Sequence, residues 1–182
     1  MIEVISKIPT KQRTKIWLDN ELKNWNKIGQ MIPNAPKIDA DPPSIDRCKE
    51  QVREAKTPQE RSIFKAGWEL FGPRQTYDQT TVITAMSGVD GMCRPLGYQA
   101  FVFVEEQFAG TLSPQAMNSR TDGDISRILL TSSSNLFVEY KRYNESDALC
   151  CASGMSRVSF KIEPRDAKPL LIPVEAVTKD QE

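Results

Sequence analysis

The N-terminal part of the chain has apolar residues at helical spacing. Leu18, Leu22 and Trp25 recur three or four positions apart, with charged residues between them. This spacing indicates the buried face of an amphipathic helix. Gly29 stands where helices often end. The pattern therefore predicts a helix over residues 10–30.

A proline-rich stretch follows this segment. Residues 31–44, MIPNAPKIDADPPS, contain four prolines in fourteen positions. Proline cannot continue a helix, so the stretch is predicted to be an extended arm. We therefore divide the chain into an N-terminal helix with its arm, residues 1–40, and one α+β domain, residues 41–182.

Two more helices are predicted before the sequence pattern changes from helical spacing to the alternation of strands. One is expected to begin at Asp41 or Ser44, because apolar residues then recur on one helical face, at Ile45, Cys48, Val52 and Ala55. Thr57-Pro58-Gln59-Glu60 has the form of a capping box with proline at the first helical position, which predicts a third helix. Gly72-Pro73 is the expected end of that helix.

From Tyr77 onward, period-two alternation with aromatic and β-branched residues predicts strands. Residues 98–104 are apolar on both sides, which is typical of a buried central strand. Further strands are predicted over residues 107–112, 125–130, 136–143 and 156–162, with a short edge piece at 170–174. The expected fold class is α+β, with N-terminal helices packed on one face of an antiparallel sheet of about five strands.

Composition removes several classes of function. The chain has 24 basic and 24 acidic residues, so a nucleic-acid partner is not predicted. The first thirty residues are locally basic, Arg13 included, and are interpreted as a solvated helix face. Histidine is absent, which excludes Ser-His-Asp and Cys-His catalysis within the chain. We predict a non-enzymatic protein without metal or cofactor.

The four cysteines are the main candidates for covalent chemistry. Cys150 and Cys151 are adjacent, and in extended backbone their side chains would point to opposite faces, which disfavours a shared metal or a mutual bond. One of the pair is expected to bridge to Cys93, and the other to be buried or to bridge to Cys48. The alternative, left open by the residues, is four reduced and buried thiols.

Two polar loops are predicted to be held by charges. Residues 118–124, Asn-Ser-Arg-Thr-Asp-Gly-Asp, are interpreted as a turn rather than a calcium loop. Arg142 is expected to hold Asp147 or Asp122, and an anion is its alternative partner. The proposed structural charge network is Arg120, Asp122, Arg142 and Asp147.

The aromatic residues of the N-terminal helix allow two interpretations. At their spacing Trp17 and Trp25 are core residues, or they dock the helix on a protein partner. Lys15 and Lys23 would then flank the contact. No apolar run reaches the ~18 residues of a membrane span, so no transmembrane segment is expected, although peripheral membrane association remains open.

Two long stretches resemble a known family. PLGYQAFVFVEEQFAGTLSPQAMNSRTDGD and FVEYKRYNESDALCCASGMSRVSF are similar to the LppP/LprE lipoproteins in their cyanobacterial form, over roughly residues 68 to 163. The resemblance implies an exported, envelope-associated domain of unknown biochemical activity, with no catalytic residues to carry over. It also implies cysteines at positions 93, 150 and 151.

The sequence departs from that family in two places. Ala152-Ser153 follows the cysteine pair, where Pro-Ser is usual, and no lipobox cysteine lies near the N-terminus. The first residues also lack the apolar region of a signal peptide. The expected location is the periplasm, thylakoid lumen or cell envelope if an export segment was removed, and otherwise the cytoplasm.

These sequence features are compatible with three functions. The first is a non-enzymatic envelope domain that binds a ligand or partner. The alternative is an intracellular interaction subunit that docks through the N-terminal helix and proline arm. The least favoured is an enzyme built on Cys151, Asp122, Asp147 and Arg142, because no nucleophile–base pair is visible.

Overall fold

In the computed structural model, which describes residues 13–38 and 46–180, the chain is built mainly of β-strands. The strands that precede residue 112 are β1 (Val52–Arg53), β2 (Glu69–Phe71), β3 (Gln75–Tyr77), β4 (Thr80–Met86), β5 (Gly88–Val89), β6 (Pro95–Leu96), β7 (Gln99–Val104) and β8 (Gln107–Thr111). The strands that follow are β9 (Asp124–Leu130), β10 (Asn135–Arg142), β11 (Gly154–Arg165) and β12 (Lys168–Asp180). Helix α1 spans Pro58–Lys65, residues 46–47 are also helical, and 3-10 turns lie at Trp17–Asp19 and Lys49–Gln51.

The strands form two main antiparallel sheets and a small hairpin. The first sheet has the order β1-β2-β4-β7-β8, with β3 also paired to β4. The second sheet has the order β12-β11-β10-β9, and β5 pairs with β6 separately. The predicted fold class was therefore wrong: two sheets pack face to face, where one sheet under N-terminal helices was expected.

The first sheet is covered on both faces, and its alternating side chains belong to two cores. Val102 on β7 packs in one core with Val138 and Val158 of the second sheet. Phe101, the preceding residue, packs in the other core with Ile63 of α1. Because neighbouring side chains point to opposite faces, β7 is buried on both sides, as its continuous apolar run predicted.

Helix α1 begins where the capping box predicts and ends earlier than expected. The Thr57 hydroxyl accepts a hydrogen bond from the Glu60 amide, and the Glu60 carboxylate accepts one from the Thr57 amide. Gly67 has a φ of +96°, which stops the helix before Trp68. The predicted end at residues 72–73 was wrong, because β2 already occupies residues 69–71.

The predicted helix over residues 10–30 was also wrong for its described part. Residues 13–38 contain no α-helix. They run along the two sheets and place Leu18 in the main core. Asn26 inserts between β8 and β12: its amide nitrogen donates to the carbonyls of Thr111 and Leu171 at 3.1 and 3.2 Å, and its oxygen accepts from the Thr111 amide at 3.0 Å. These bonds to the sheet edges replace the internal bonds of a helix.

Of the second predicted helix, the described residues show α-helix at 46–47 and depart from it afterwards. Its proposed start at Asp41 or Ser44, and the boundary at residue 40, lie outside the described residues. From residue 49 onward the chain makes a 3-10 turn and then pairs as β1 with β2. The later strands agree with prediction, since β8 to β12 cover the ranges that alternation indicated, and β12 extends well beyond the predicted edge piece.

Candidate functional site

All four cysteines are oxidised, in a pairing that differs from the expected one. Cys48 and Cys93 form a disulfide with a Cα–Cα distance of 5.5 Å. Cys48 is 4% exposed. Pairing of β2 with β4 brings the β5–β6 hairpin back beside the turn that precedes β1, and this places Cys93 next to Cys48. The expected bridge from Cys93 to the adjacent pair was therefore wrong, and so was the alternative of four reduced thiols.

Cys150 and Cys151 form a disulfide with each other. The prediction assumed extended backbone, in which neighbouring side chains diverge. Instead the Cys151 amide donates to the Ala148 carbonyl at 2.9 Å, so the pair lies in a turn. Both residues are exposed. The disulfide therefore sits at the surface of the connection between β10 and β11, which we call the cysteine loop (residues 144–153).

The carboxylate of Asp147 closes the cysteine loop. Its Oδ2 accepts hydrogen bonds from the amides of Asn144 and Ser153, at 2.7 and 2.9 Å, and from the Ser153 hydroxyl at 2.7 Å. The Asn144 amide is the largest influence that holds the pKa of Asp147 below its ordinary value, followed by the Ser153 hydroxyl. Both ends of the loop are thus hydrogen-bonded to the Asp147 carboxylate.

Arg120 connects the cysteine loop to the turn before β9. Its Nη2 donates to the Asp147 carbonyl at 2.7 Å, and its guanidinium lies 4.7 Å from the centroid of the Tyr143 ring. Residues 118–123 form the predicted turn, in which the Asp122 carboxylate accepts from the Asn118 amide at 2.8 Å. Arg120 therefore contacts Asp147 through the backbone oxygen, a pairing that the sequence analysis did not specify.

Arg142 belongs to a different cluster. Its Nη2 lies 2.7 Å from Oδ2 of Asp19, its Nη1 lies 3.2 Å from Oδ1, and Nη1 also donates to the Ser156 hydroxyl at 2.8 Å. Burial acts to raise the pKa of Asp19, but the hydrogen bonds from Arg142 and the Ile16 amide outweigh it and lower that pKa. The expected partners Asp122 and Asp147 are already engaged elsewhere, so Arg142 takes the acid that the N-terminal segment supplies.

A polar cleft of ≈ 390 Å³ lies between the N-terminal segment and the cysteine loop. We call it the arginine cleft and define it by Arg13, Arg120, Asp122, Tyr143, Asn144 and Glu145. Nη2 of Arg13 is bound by Asp180 at 2.7 Å. The Nη1 atoms of Arg13 and Arg120 are buried, and neither has a hydrogen-bond partner within the described ranges.

This arrangement suits the binding of an anion. Buried polar groups are nearly always satisfied, and the described residues supply no acceptor to these two nitrogens, so the two arginines that line the cleft are suited to take up an anion. Asp122 does not supply it, because its carboxylate accepts from the Asn118 amide and the Thr121 hydroxyl. Glu145 is exposed at the rim. The cleft thus combines two arginines, one of them paired with Asp180, with the carboxylates of Asp122 and Glu145.

The sequence did not identify this cleft. Arg13 was grouped with a solvated helix face, and Tyr143 and Asn144 were not singled out. No spacing signal joins Arg13 to Arg120, because their proximity depends on how residues 13–38 cross the sheets. The paired cysteines and the charges around residue 120 were the only local features that pointed to this region.

A second, more apolar cleft of ≈ 220 Å³ opens between β3 and β9. Phe71, Val82, Tyr98 and Ile128 line it, and Asp124 is its acidic residue. Burial raises the pKa of Asp124. The volume is below the range usual for small-molecule sites, about 300 Å³ or more, so the arginine cleft is the better candidate of these two.

The residues proposed for partner docking lie against the protein's own core. The ring centroids of Trp17 and Trp25 are 5.1 Å apart, and Trp25 lies 6.0 Å from Phe160. The Trp25 indole nitrogen donates to the Thr111 carbonyl at 3.0 Å. Lys15 and Lys23 are exposed. Docking of a protein partner on this segment stays a prediction.

The described residues hold neither a metal-binding cluster nor a membrane-spanning helix. Within residues 13–38 and 46–180, no group of three or more cysteine, aspartate or glutamate side chains is placed to hold a metal ion. Across the same part of the chain, no helix has both the length and the apolar character needed to cross a membrane.

Comparison with known proteins gives one family match. The model of a family described as LppP/LprE lipoprotein matches residues 75–165, which is half of the chain and confirms the resemblance seen in the sequence. The matched range runs from β3 to the end of β11 and includes Arg120 and the cysteine loop. No curated protein and no solved structure matches the chain.

Proposed function

The chain belongs to the LppP/LprE lipoprotein family, and from this premise we propose that it is a non-enzymatic, envelope-associated domain that binds a small anionic group in the arginine cleft. The family and the two disulfides fit an extracytoplasmic protein, since disulfides persist mainly in oxidising compartments. The proposed binding of an anionic group rests on the arginine cleft.

The carrying observation is the pair of unsatisfied guanidinium nitrogens. Each arginine is positioned through its other terminal nitrogen, Arg13 by Asp180 and Arg120 by the Asp147 carbonyl. The planar guanidinium is the side chain best suited to carboxylate and phosphate oxygens. Two such groups, already oriented, would hold an anion with little loss of side-chain entropy.

The ligand class follows from the same geometry. Both nitrogens are buried, so a small anion would reach them more readily than a bulky one. The Glu145 carboxylate at the rim disfavours a polyanion and favours a ligand with a single anionic group. A free carboxylate or phosphate and the same group on an envelope molecule share this chemistry.

The residues named for the least favoured function, an enzyme, are engaged in structural contacts. Cys151 is held in a disulfide and has no free thiolate. The Asp147 carboxylate accepts three hydrogen bonds, and the Asp122 carboxylate is occupied by its own turn. Arg142 is 1% exposed and paired with Asp19, which leaves it no access to a substrate.

The alternative of an intracellular interaction subunit has less support. It required an N-terminal helix and arm free to wrap a partner. In the structure the described part of that region lies on the sheets, through Leu18, Trp25 and Asn26. Resistance of residues 13–38 to limited proteolysis in the isolated protein would count against this alternative.

Calorimetric titration with inorganic phosphate and with acetate tests the proposed function. We expect the purified protein to bind at least one of them, and Arg120→Gln to weaken that affinity about tenfold or more. Arg127→Gln is the matched control, because Arg127 is an exposed arginine paired with Glu139 on β9 and β10. Absence of binding by the unmodified protein, or equal affinities for both variants, would overturn the proposal.

A second arm of the experiment separates the sources of the anion. Vesicles with and without an anionic phospholipid are sedimented with the protein, and free phosphate is then added as a competitor. Release of the protein by phosphate would place the recognised group on a lipid headgroup. Binding of free phosphate without any vesicle association would place it on a small soluble ligand.

A further inference from the structure

We propose that the Cys150–Cys151 disulfide is a redox modification site whose reduction by a dithiol weakens anion binding in the arginine cleft. The coupling half of this inference rests on the proposed function. The redox half rests on the cysteines alone, and the two halves are tested by separate measurements.

The two disulfides of the chain differ sharply in access. Cys48 is buried, and its bridge to Cys93 closes a long stretch of chain, with a sequence separation of 45. Cys150 and Cys151 are both exposed on the cysteine loop. Thiol–disulfide exchange requires in-line access of a thiolate to a sulfur, and exposed bridges are the ones that exchange readily. Cys93 is half-buried, but its partner Cys48 is 4% exposed, so a reductant that leaves the fold intact should reach the adjacent pair first.

The exchange is a two-electron reaction with a dithiol, such as a reduced Cys-x-x-Cys protein. A thiolate of the dithiol attacks one sulfur of the pair, forms a mixed disulfide and releases the other sulfur as a thiolate, which takes up a proton. The second thiol of the reductant then attacks the mixed disulfide and frees the remaining cysteine. The dithiol leaves as a disulfide, and Cys150 and Cys151 are left as two thiols.

The cysteine loop transmits this change to the cleft. Asp147 presents its backbone oxygen to Arg120, and its carboxylate ties Asn144 to Ser153. Between these tied ends, the ring formed by Cys150 and Cys151 holds the turn at Ala148. Reduction removes that ring and leaves the Asp147 carboxylate as the main restraint. The Asp147 carbonyl is then less well fixed, and Arg120 loses part of its positioning.

The first experiment is selective labelling of the full chain. The folded protein is treated with dithiothreitol, alkylated with iodoacetamide without denaturant, and analysed by peptide mass. We expect both Cys150 and Cys151 to be alkylated while Cys48 and Cys93 stay linked. Alkylation of all four cysteines together, or of none, would overturn the redox site.

The second experiment is phosphate titration of the oxidised and the reduced, alkylated protein. We expect a severalfold weaker affinity after reduction, and the same weak affinity for a Cys150→Ser/Cys151→Ser variant, which no longer responds to dithiothreitol. Equal affinities in the two states would overturn the coupling. Selective labelling with no phosphate binding in either state would overturn the proposed function and leave the redox site standing.

Discussion

Arg142 and Asp19, which are 123 positions apart in the sequence, form a two-pronged ion pair at the junction between the N-terminal segment and the second sheet. Arg142 is 1% exposed, and the Ser156 hydroxyl accepts a further hydrogen bond from it. A buried guanidinium is tolerated only with such partners. The pair therefore fixes where residues 13–38 lie, and with them the position of Arg13 in the cleft.

Asp19→Asn is expected to lower the free energy of unfolding by about 3 kcal/mol, because it leaves the Arg142 charge buried without a counterion. Urea denaturation followed by tryptophan fluorescence measures the change. Glu163→Gln is the control, since Glu163 pairs with Lys161 and Arg165 on an exposed hairpin. Its effect should stay below about 1 kcal/mol. Equal losses for the two variants would contradict the importance given to burial.

The same pair predicts acid sensitivity. The folded pKa of Asp19 lies below its ordinary value, so the folded state holds that proton less tightly than the unfolded chain. The stability from the pair is then fully present above pH about 4, and it is lost as pH falls through the folded pKa. The difference in unfolding free energy between the unmodified protein and Asp19→Asn should shrink below pH 4. A difference independent of pH would be the contrary result.

Gly110→Ala is expected to be strongly destabilising, by about 3 kcal/mol. Gly110 has a φ of +147°, and an added Cβ would lie 2.4 Å from Cγ of Asn26. Gly91→Ala is the matched control, because its Cβ would meet nothing within 4 Å. Thermal unfolding of the two variants should differ clearly, and similar midpoints would show that Asn26 can leave its position at low cost.

Loss of the Cys48–Cys93 bridge should cost about 4 kcal/mol in a Cys48→Ala/Cys93→Ala variant, as chain entropy predicts for a closed loop of this length. The Cys150–Cys151 bridge closes almost no loop, so its removal in the Cys150→Ser/Cys151→Ser variant should cost about 1 kcal/mol. Denaturant titrations of both variants without reductant make the comparison. A larger loss at positions 150 and 151 would mean that the adjacent pair has a structural role.

The sequence was sufficient to predict those elements that are determined by interactions between nearby residues. The capping box at residues 57–60 fixes the start of α1 through bonds within four residues, and it was predicted correctly. The apolar run of β7 identified a strand buried on both faces, because side-chain alternation needs no knowledge of its neighbours. The strands β9 to β11 were found for the same reason.

The failures share one cause, which is competition from distant parts of the chain. Leu18 and Trp25 have helical spacing, yet Asp19 and Asn26 in the same segment bond to groups on β8, β10 and β12. Helical propensity is weak enough for such tertiary bonds to override it. The disulfide pairing depends on the order of strands in the first sheet, and nothing near the cysteines encodes that order. The arginine cleft could not be predicted for the same reason.

The amide of Asn26 has a consequence for the order of events in folding. Its bond to the Leu171 carbonyl spans 145 positions, so this segment, which precedes every described strand in the sequence, can be seated only after β12 has formed. Pairings of such long range form late and slow the overall folding rate, because the chain must be ordered before they yield any stabilisation. A chain emerging from a ribosome or an export channel would therefore keep one edge of each sheet open until β12 arrives. Throughout that interval the exposed edges of β8 and β11 are the part of the protein most in need of protection from other chains.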